Sequence, residues 1–285
     1  MAVSHLPVVL LGEIHGDPAC YEAEREVVAG LKGVYDTLAL EIDATQERLL
    51  RDYLRTARAP QDYAAFIAAD MERTFSETAP EIVEMLAFMH DERDPQKGLR
   101  KLKRELVEKT LNGDDWFLKS RRDTHRLAAE ACDQGYRIRC TDLPLGLIFE
   151  EMTSLILNPE VMRKRNHVMA QALARDVREG HGVIAVNGSA HLARFSGAPN
   201  SLKSELNQLH IPNLTFQLPS REAHPAFFNV DHVAASGREA VEVVQQDIAR
   251  RTARQEWREH PFRRAADMGI RLLRLDARER DKDKA

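Results

Sequence analysis

Short apolar runs recur along the chain at a spacing that predicts buried β-strands. Each run is rich in Val, Ile, Leu or Thr, is too short for a helix and ends at a turn signal. The five clearest runs are Val8–Leu11, Thr37–Ile42, Arg137–Thr141, Val183–Val186 and Leu214–Leu218. A sixth and weaker run lies at Phe227–Val230.

The stretches between these runs have the helical period, with apolar residues three and four positions apart. Examples are Tyr21–Leu31, Ile82–His90, Trp116–Ala131, Val161–Arg178 and Ser201–Leu209. Apolar strands that alternate with helices are typical of a parallel sheet covered on both faces. We therefore predict an α/β fold with a largely parallel central sheet of about five or six strands and helices on both faces.

The second and third predicted strands are separated by far more residues than one crossover helix needs. Residues 46–113 are rich in Ala, Glu, Arg, Met and Leu at helical spacing. Helix-breaking residues interrupt this segment at Pro60, Pro80, Pro95 and Gly113. The pattern predicts a helical cap inserted into a core domain at residues 1–236. The helical and strongly charged pattern of residues 237–285 predicts a separate C-terminal segment.

Composition and charge narrow the classes of function. The chain has 285 residues, of which 30% are charged and 43% hydrophobic, as expected of a folded, soluble protein. The net charge is −4, and basic residues gather after residue 250, which leaves an acidic body. An acidic body argues against nucleic-acid binding, because phosphate contacts need clustered Lys and Arg.

The N-terminal sequence carries no pattern for membrane insertion or secretion. The apolar run Leu6–Gly12 is too short to span a bilayer and lacks a basic leader. The three cysteines, Cys20, Cys132 and Cys140, form no C-x-x-C pair and suit reduced thiols. We expect no membrane span and a cytoplasmic location, with export as an effector protein as the alternative.

Two of the predicted strands are followed by the same frame, Gly-x-x-His. Gly12 leads to His15, and Gly188 leads to His191. Ligands of open α/β sheets bind at the carboxyl ends of the strands, and glycine there lets the backbone turn tightly or approach a ligand. We expect both imidazoles at one edge of the sheet, where they can bind a ligand or act in catalysis. The alternative for each is a structural role, as a helix cap or as a donor to a backbone carbonyl.

Carboxylates occur at the same strand ends. Glu41 lies within an apolar strand, where a buried carboxylate must be paired, bound to a cation or hydrogen-bonded. It is a candidate metal ligand or general base, and its alternative is an ion pair with an Arg. Glu13 is a second candidate, and its alternative is a contact with the dipole of the following helix. Asp142 ends the third strand before Leu143, and turn formation is its equal alternative.

These residues resemble the superfamily that joins erythromycin esterases, haem-binding uptake proteins of the ChaN type and the TraB/Tiki proteases. The similarity lies in Leu11-Gly12-Glu13-Ile14-His15-Gly16, in Val186-Asn187-Gly188-Ser189-Ala190-His191-Leu192, in Glu41 and in Arg165-Asn166-x-x-Met169. The resemblance implies an α/β core with a helical region. It also implies a site at the sheet edge made of Glu13, His15, Glu41, Arg165 and His191.

The branches of this superfamily imply different activities. The Tiki-like branch is associated with a divalent metal and peptide hydrolysis, the esterase branch hydrolyses a macrolide lactone, and the ChaN branch binds haem with a tyrosine involved. Our leading hypothesis is a hydrolase of an ester, lactone or peptide bond that acts on a small-molecule or peptide substrate. The alternative is a non-hydrolytic protein that binds haem or a related planar ligand, with Tyr21 and Tyr35 as candidate iron ligands or stacking groups.

The hydrolase hypothesis takes two forms, and the spacing of the residues does not choose between them. In one, His15, Glu41 and His191 bind Zn, Mn or Fe and leave a position for an activated water, with Glu13 as base. In the other, an imidazole takes the proton directly while a carboxylate orients its ring. In both forms Arg165 stabilises an oxyanion or holds an anionic substrate.

The basic tail offers a third hypothesis, a docking helix for an acidic partner. Its arginines are Arg250, Arg251, Arg254, Arg258, Arg263 and Arg264. Acidic residues alternate with them along much of the tail, and such a face is usually solvated.

Overall fold

The computed structural model describes residues 7–78, 80–91, 93–112, 116–143, 159–192, 201–220 and 230–259. Within these ranges the centre of the protein is a six-stranded sheet. Its strands are β1 (Val8–Glu13), β2 (Thr37–Asp43), β3 (Arg137–Asp142), β4 (Val183–Gly188), β5 (Asn213–Gln217) and β6 (His232–Val233). Their spatial order is β3-β2-β4-β1-β5-β6, and every neighbouring pair is parallel. The predicted parallel α/β fold is therefore confirmed.

Nine α-helices lie in the described ranges and surround this sheet. They are α1 (Pro18–Gly30), α2 (Glu47–Leu54), α3 (Pro60–Glu77), α4 (Pro80–His90), α5 (Pro95–Asn112), α6 (Trp116–Asp133), α7 (Pro159–Arg178), α8 (Leu202–Gln208) and α9 (Gly237–Glu259). Short 3-10 turns follow β2 at Ala44–Gln46 and β4 at Ser189–Leu192. None of the helices in these ranges is both long enough and apolar enough to cross a bilayer.

The alternation of side chains along β1 shows how the sheet is covered on both faces. Val9 and Leu11 point to one face, where they join an apolar cluster with residues of α1, α2, α3, α6 and α9. Val8 and Leu10 point to the other face and pack with residues of α7 and α8. All four side chains are fully buried, and each such burial contributes about 1.5–3 kcal/mol.

The segment between β2 and β3 is helical, as its composition predicts. Helices α2 to α5 fill it, and α6 leads back to the sheet. Three of these helices begin at the prolines that interrupt the pattern, Pro60, Pro80 and Pro95. Proline starts helices readily because its fixed φ suits the first turn and its missing N–H is not needed there. The division of the chain at residue 236 stays a prediction.

The weaker run Phe227–Val230 stays a prediction, because residues 227–229 lie outside the described ranges. The sixth strand of the described sheet lies at His232–Val233. Contacts with β5 fix its position, because the Asp231 N–H donates to the Thr215 carbonyl (2.8 Å) and the Asp231 side chain accepts from the Thr215 N–H (2.9 Å). In the predicted tail, α9 runs to Glu259, and the arginines beyond it also lie outside the described residues.

Candidate functional site

The register of the sheet brings the predicted site residues to one edge. Glu13 is level with Gly188 in the β1–β4 pair, and Leu40 is level with Val186 in the β2–β4 pair. Because β4 lies between β2 and β1, the ends of these three strands sit side by side. The structure therefore brings Glu13, His15, Glu41 and His191 together, and α7 adds Arg165 from above the sheet edge. We call these five residues the strand-end site.

Glu41 is the centre of the strand-end site. Its Oε1 accepts from an Nη of Arg165 at 2.6 Å and lies 2.9 Å from Nε2 of His191. Its Oε2 accepts from the backbone N–H of Gly188 at 2.6 Å. Burial alone raises the pKa of Glu41, but the charges of His191 and Arg165 outweigh it and hold that pKa well below its usual range. An ion pair with an Arg was the structural alternative predicted for Glu41, and the structure shows this ion pair with Arg165.

Arg165 joins two strands through their carboxylates. Its Nε donates to Oδ1 of Asp142 at 2.9 Å, and the Nη that contacts Glu41 also donates to the other oxygen of Asp142. Asp142 also accepts from the N–H of Leu143 at 2.8 Å, so it contacts the backbone after the strand as well as Arg165. The turn predicted at Asp142 stays a prediction, because residues 144–158 lie outside the described ranges.

His191 is the most buried member of the strand-end site. Its Nδ1 lies 2.6 Å from Oδ1 of Asn166, and its Nε2 faces Glu41. Both ring nitrogens are therefore occupied by protein groups. Asn166 follows Arg165 on α7, and it belongs to the motif that carried the resemblance although no role was assigned to it.

His15 packs against the backbone of the other Gly-x-x-His frame. A Cβ added at Gly188 would lie 2.6 Å from Nε2 of His15 and 3.2 Å from Oε2 of Glu41. Glycine is thus required at position 188 because the imidazole and the carboxylate fill the space of a side chain. On the other side of the ring, Nδ1 lies 3.0 Å from Oε1 of Glu13 and 3.2 Å from Oγ of Ser120.

The five side chains differ in how far solvent reaches them. The exposed fractions are 31% for His15, 14% for Arg165, 11% for Glu41, 10% for Glu13 and 1% for His191. Burial lowers the pKa of His15, but the hydrogen bond to Glu13 and the charges of Glu41 and Glu13 raise it to about 9. His15 is therefore protonated at neutral pH and is the member of the set most open to a ligand.

Three further residues near His15 carry no motif in the sequence. Ser120 and Lys119 come from α6, where Lys119 donates to the Gly16 carbonyl at 2.8 Å. Glu24 on α1 is buried, and its Oε1 has no hydrogen-bond partner within the described chain. Burial, with help from Glu13, raises the pKa of Glu24 well above its usual value.

The geometry does not support the predicted metal set of His15, Glu41 and His191. In the described part of the chain no group of three or more His, Cys, Asp and Glu side chains is arranged to hold a metal ion. The physical reason is that the oxygens of Glu41 and the nitrogens of His191 already face protein hydrogen-bond partners.

The tyrosines proposed for haem do not fit the role of iron ligand. Tyr21 is 9% exposed and its hydroxyl donates to Glu130 at 3.4 Å, while Tyr35 is a core residue. Burial raises the pKa of both phenols, which opposes the phenolate that would bind iron. The cysteines are free thiols, and burial raises the pKa of Cys20 to about 12, which makes it a poor nucleophile at neutral pH.

Comparison with known proteins places this chain in a family. A family profile described as "Haem-binding uptake, Tiki superfamily, ChaN" matches residues 2–202. The structure of ChaN of Campylobacter jejuni with cofacial haem is 12% identical, covers 80% of this chain and 87% of that chain, and has a TM-score of 0.45. The type III effector HopBA1 is 16% identical, covers 82% of this chain and 90% of that chain, and also has a TM-score of 0.45. No curated protein sequence is significantly similar to this chain. Because the profile matches more than half of the sequence, the chain belongs to the haem-binding uptake (ChaN) family of the Tiki superfamily.

Proposed function

We propose that this protein binds an acidic small molecule at the strand-end site, and that haem, which names its family, is the first ligand to test. The observation that carries the proposal is the exposure of His15 beside Lys119, each close to one-third exposed. Together with Ser120 they form what we call the cationic rim. Lys119 and Ser120 can donate to a carboxylate of the ligand, and the positive charge of His15 attracts that carboxylate.

The contacts of the cationic rim indicate how a porphyrin would be held. His15 has Glu13 and Ser120 at Nδ1 and packs at Nε2 against Gly188, so its nitrogens are not open to iron. The two propionates of haem are the groups that match a cationic rim. We therefore expect binding to depend on the propionates and the ring rather than on a protein ligand to the metal.

Titration with haemin and with metal-free protoporphyrin IX tests this proposal. We expect saturable binding of both, followed in the Soret region, and a comparable loss of affinity for both in Lys119→Gln. The matched control is Lys101→Gln. Lys101 pairs with Glu105 at 3.8 Å, and Lys119 pairs with Asp123 at 3.9 Å, both with i,i+4 spacing on a helix. Binding of neither compound, or an equal loss in the control, contradicts the proposal. Binding of haemin alone contradicts the propionate mode.

Hydrolysis is the second candidate, and one specific observation favours it. A carboxylate of Glu13 orients the imidazole of His15 at 3.0 Å, which is the arrangement of a general acid or base. Since the pKa of His15 is raised to about 9, the ring would act as an acid at neutral pH and as a base only in alkaline solution. The test is hydrolysis of a panel of esters, lactones and peptides before and after His15→Ala and His191→Ala. Activity that survives both substitutions rules out this site, and activity that survives chelation rules out a metal.

A further inference from the structure

An open cleft of about 610 Å³ follows the outer edge of β3. Helix α2 borders it from one face of the sheet and α7 from the other, because the two helices pack in different apolar clusters. Cys140 and Thr141 of β3 form part of its floor. None of the five strand-end residues lines it, so this feature is separate from the site described above.

Arginines dominate the wall of this cleft. Arg48 and Arg51 come from α2, Arg139 from β3 and Arg175 from α7, and we call the space between these four side chains the arginine cleft. Glu47 is the one acidic residue that lines it. A second cleft of about 350 Å³ shares Arg51 and Arg139 and extends the basic surface along the strand. This surface contrasts with the acidic charge of residues 1–249 as a whole.

Two of the four arginines are fixed by carboxylates. Oε1 of Glu47 accepts from Arg51 at 2.6 Å and from Arg139 at 3.1 Å. The other oxygen of Glu47 accepts from the backbone N–H of Cys140 at 3.2 Å, and Nε of Arg139 also donates to the buried Asp176 at 3.2 Å. The acidic groups at this edge are thus already engaged.

The other two arginines have no such partner. The guanidinium groups of Arg48 and Arg175 make no ion pair or hydrogen bond to any residue in the described ranges, and both side chains are exposed. Arginine on an edge strand can serve to block edge-to-edge association, which would account for Arg139. It does not account for unpaired arginines that come from helices on opposite faces and line the same cleft.

We propose that the arginine cleft binds a phosphate-bearing small molecule, either a free polyphosphate chain or a nucleotide. The planar guanidinium fork matches phosphate oxygens in pairs, and Arg48 and Arg175 stand on opposite walls where they can contact one ligand. The cleft volume falls within the usual range for small-molecule sites. Val168 and Ala172 add an apolar strip on α7 against which a nucleoside can pack.

Calorimetric titration of the full-length protein tests this site, with inorganic triphosphate and ATP as the two ligands. We expect saturable binding and a loss of at least about tenfold in affinity for Arg48→Glu and for Arg175→Glu. The matched control is Arg163→Glu on α7, because Arg163 is exposed, lies outside the cleft and pairs with Glu160 at 3.3 Å. The control should bind as the parent protein does.

The outcomes separate the two sources of phosphate. Equal affinity for triphosphate and ATP assigns the cleft to a phosphate chain, and tighter binding of ATP assigns it to a nucleotide. Absence of saturable binding by both ligands overturns the proposal, as does an equal loss in the Arg163 control. If a charge reversal impairs folding, Arg48→Gln and Arg175→Gln carry the same test, because they remove the charge and keep a polar side chain.

Discussion

The strand-end site and the arginine cleft both contain arginine and glutamate but use them in opposite ways. In the strand-end site Arg165 lies between Glu41 and Asp142, and all three side chains are largely buried. In the cleft Arg48 and Arg175 are exposed and unpaired within the described residues. The first set of charges holds the fold and positions groups, whereas the second set is the one that we propose contacts a ligand.

Two glutamates make this contrast measurable. Glu41 and Glu47 each contact two basic side chains and accept from one backbone N–H. The two glutamates differ in their surroundings. Arg51, a partner of Glu47, is 55% exposed, whereas His191, a partner of Glu41, is 1% exposed. Water can replace Glu47 at Arg51 but cannot reach His191, and Arg165 is only 14% exposed.

The largest effect is therefore expected for Glu41→Ala. The substitution leaves Arg165 and His191 buried without their shared carboxylate, and we expect a loss of about 3–5 kcal/mol in the free energy of unfolding. Glu47→Ala is the matched control and should cost about 1 kcal/mol. Urea denaturation of both variants measures the difference. Equal losses would mean that the two sites do not differ in the way proposed.

Gly188→Ala should have the next largest effect. The added Cβ would lie 2.6 Å from Nε2 of His15, so the ring must move, and overpacking of this kind costs about 1–3 kcal/mol. The cost should fall sharply in the double variant Gly188→Ala/His15→Ala, because the clashing ring is then absent. A double-mutant cycle by thermal or urea unfolding measures this coupling. Additive losses would contradict the proposed contact.

A smaller effect is expected from pH. The pKa of His15 is raised from 6.5 to about 9, so its contribution to stability is complete below pH 6.5 and is lost as pH rises through 9. The shift corresponds to at most about 3.4 kcal/mol, and because solvent screens a ring that is 31% exposed, we expect the free energy of unfolding to fall by about 2 kcal/mol across this range. Urea denaturation at several pH values measures the slope, and His15→Gln should flatten it. A slope that is unchanged in the variant would assign the pH dependence to other groups.

The smallest effect on stability is expected in the arginine cleft. Arg48→Ala and Arg175→Ala remove exposed side chains without partners in the described chain, so unfolding free energy should change by no more than about 0.5 kcal/mol. Thermal unfolding measures this, with Arg165→Ala as the destabilised comparison. A large loss in the Arg48 or Arg175 variant would show that these arginines hold the fold rather than a ligand.

The sheet was predictable because strand patterns are local. Val8–Leu11 and Val183–Val186 are apolar throughout, and a strand buried on both faces must be so. The strand at His232–Val233 was not predicted, because it is exposed and is held by contacts of Asp231 with β5 rather than by its own hydrophobicity.

The candidate site was predictable only where a residue type was unusual for its position. Glu41 stood out because a carboxylate inside an apolar strand needs a partner, and the two Gly-x-x-His frames stood out because they repeat after strands. Lys119 and Ser120 lie in an ordinary polar stretch of α6, and Glu24 lies in an ordinary stretch of α1. Nothing local marks such residues, because their importance comes from what packs against them.

The amino-acid sequence by itself determined the alternation of strands and helices, the helical insertion and the residue types at the strand ends, since each depends on neighbours along the chain. Tertiary structure alone decided that Gly188 leaves room for His15, that Asn166 contacts His191 and that arginines from both faces of the sheet line one cleft. These pairs are far apart in sequence, and their distances depend on strand order and register. Long-range geometry of this kind is set by the packing of the whole sheet.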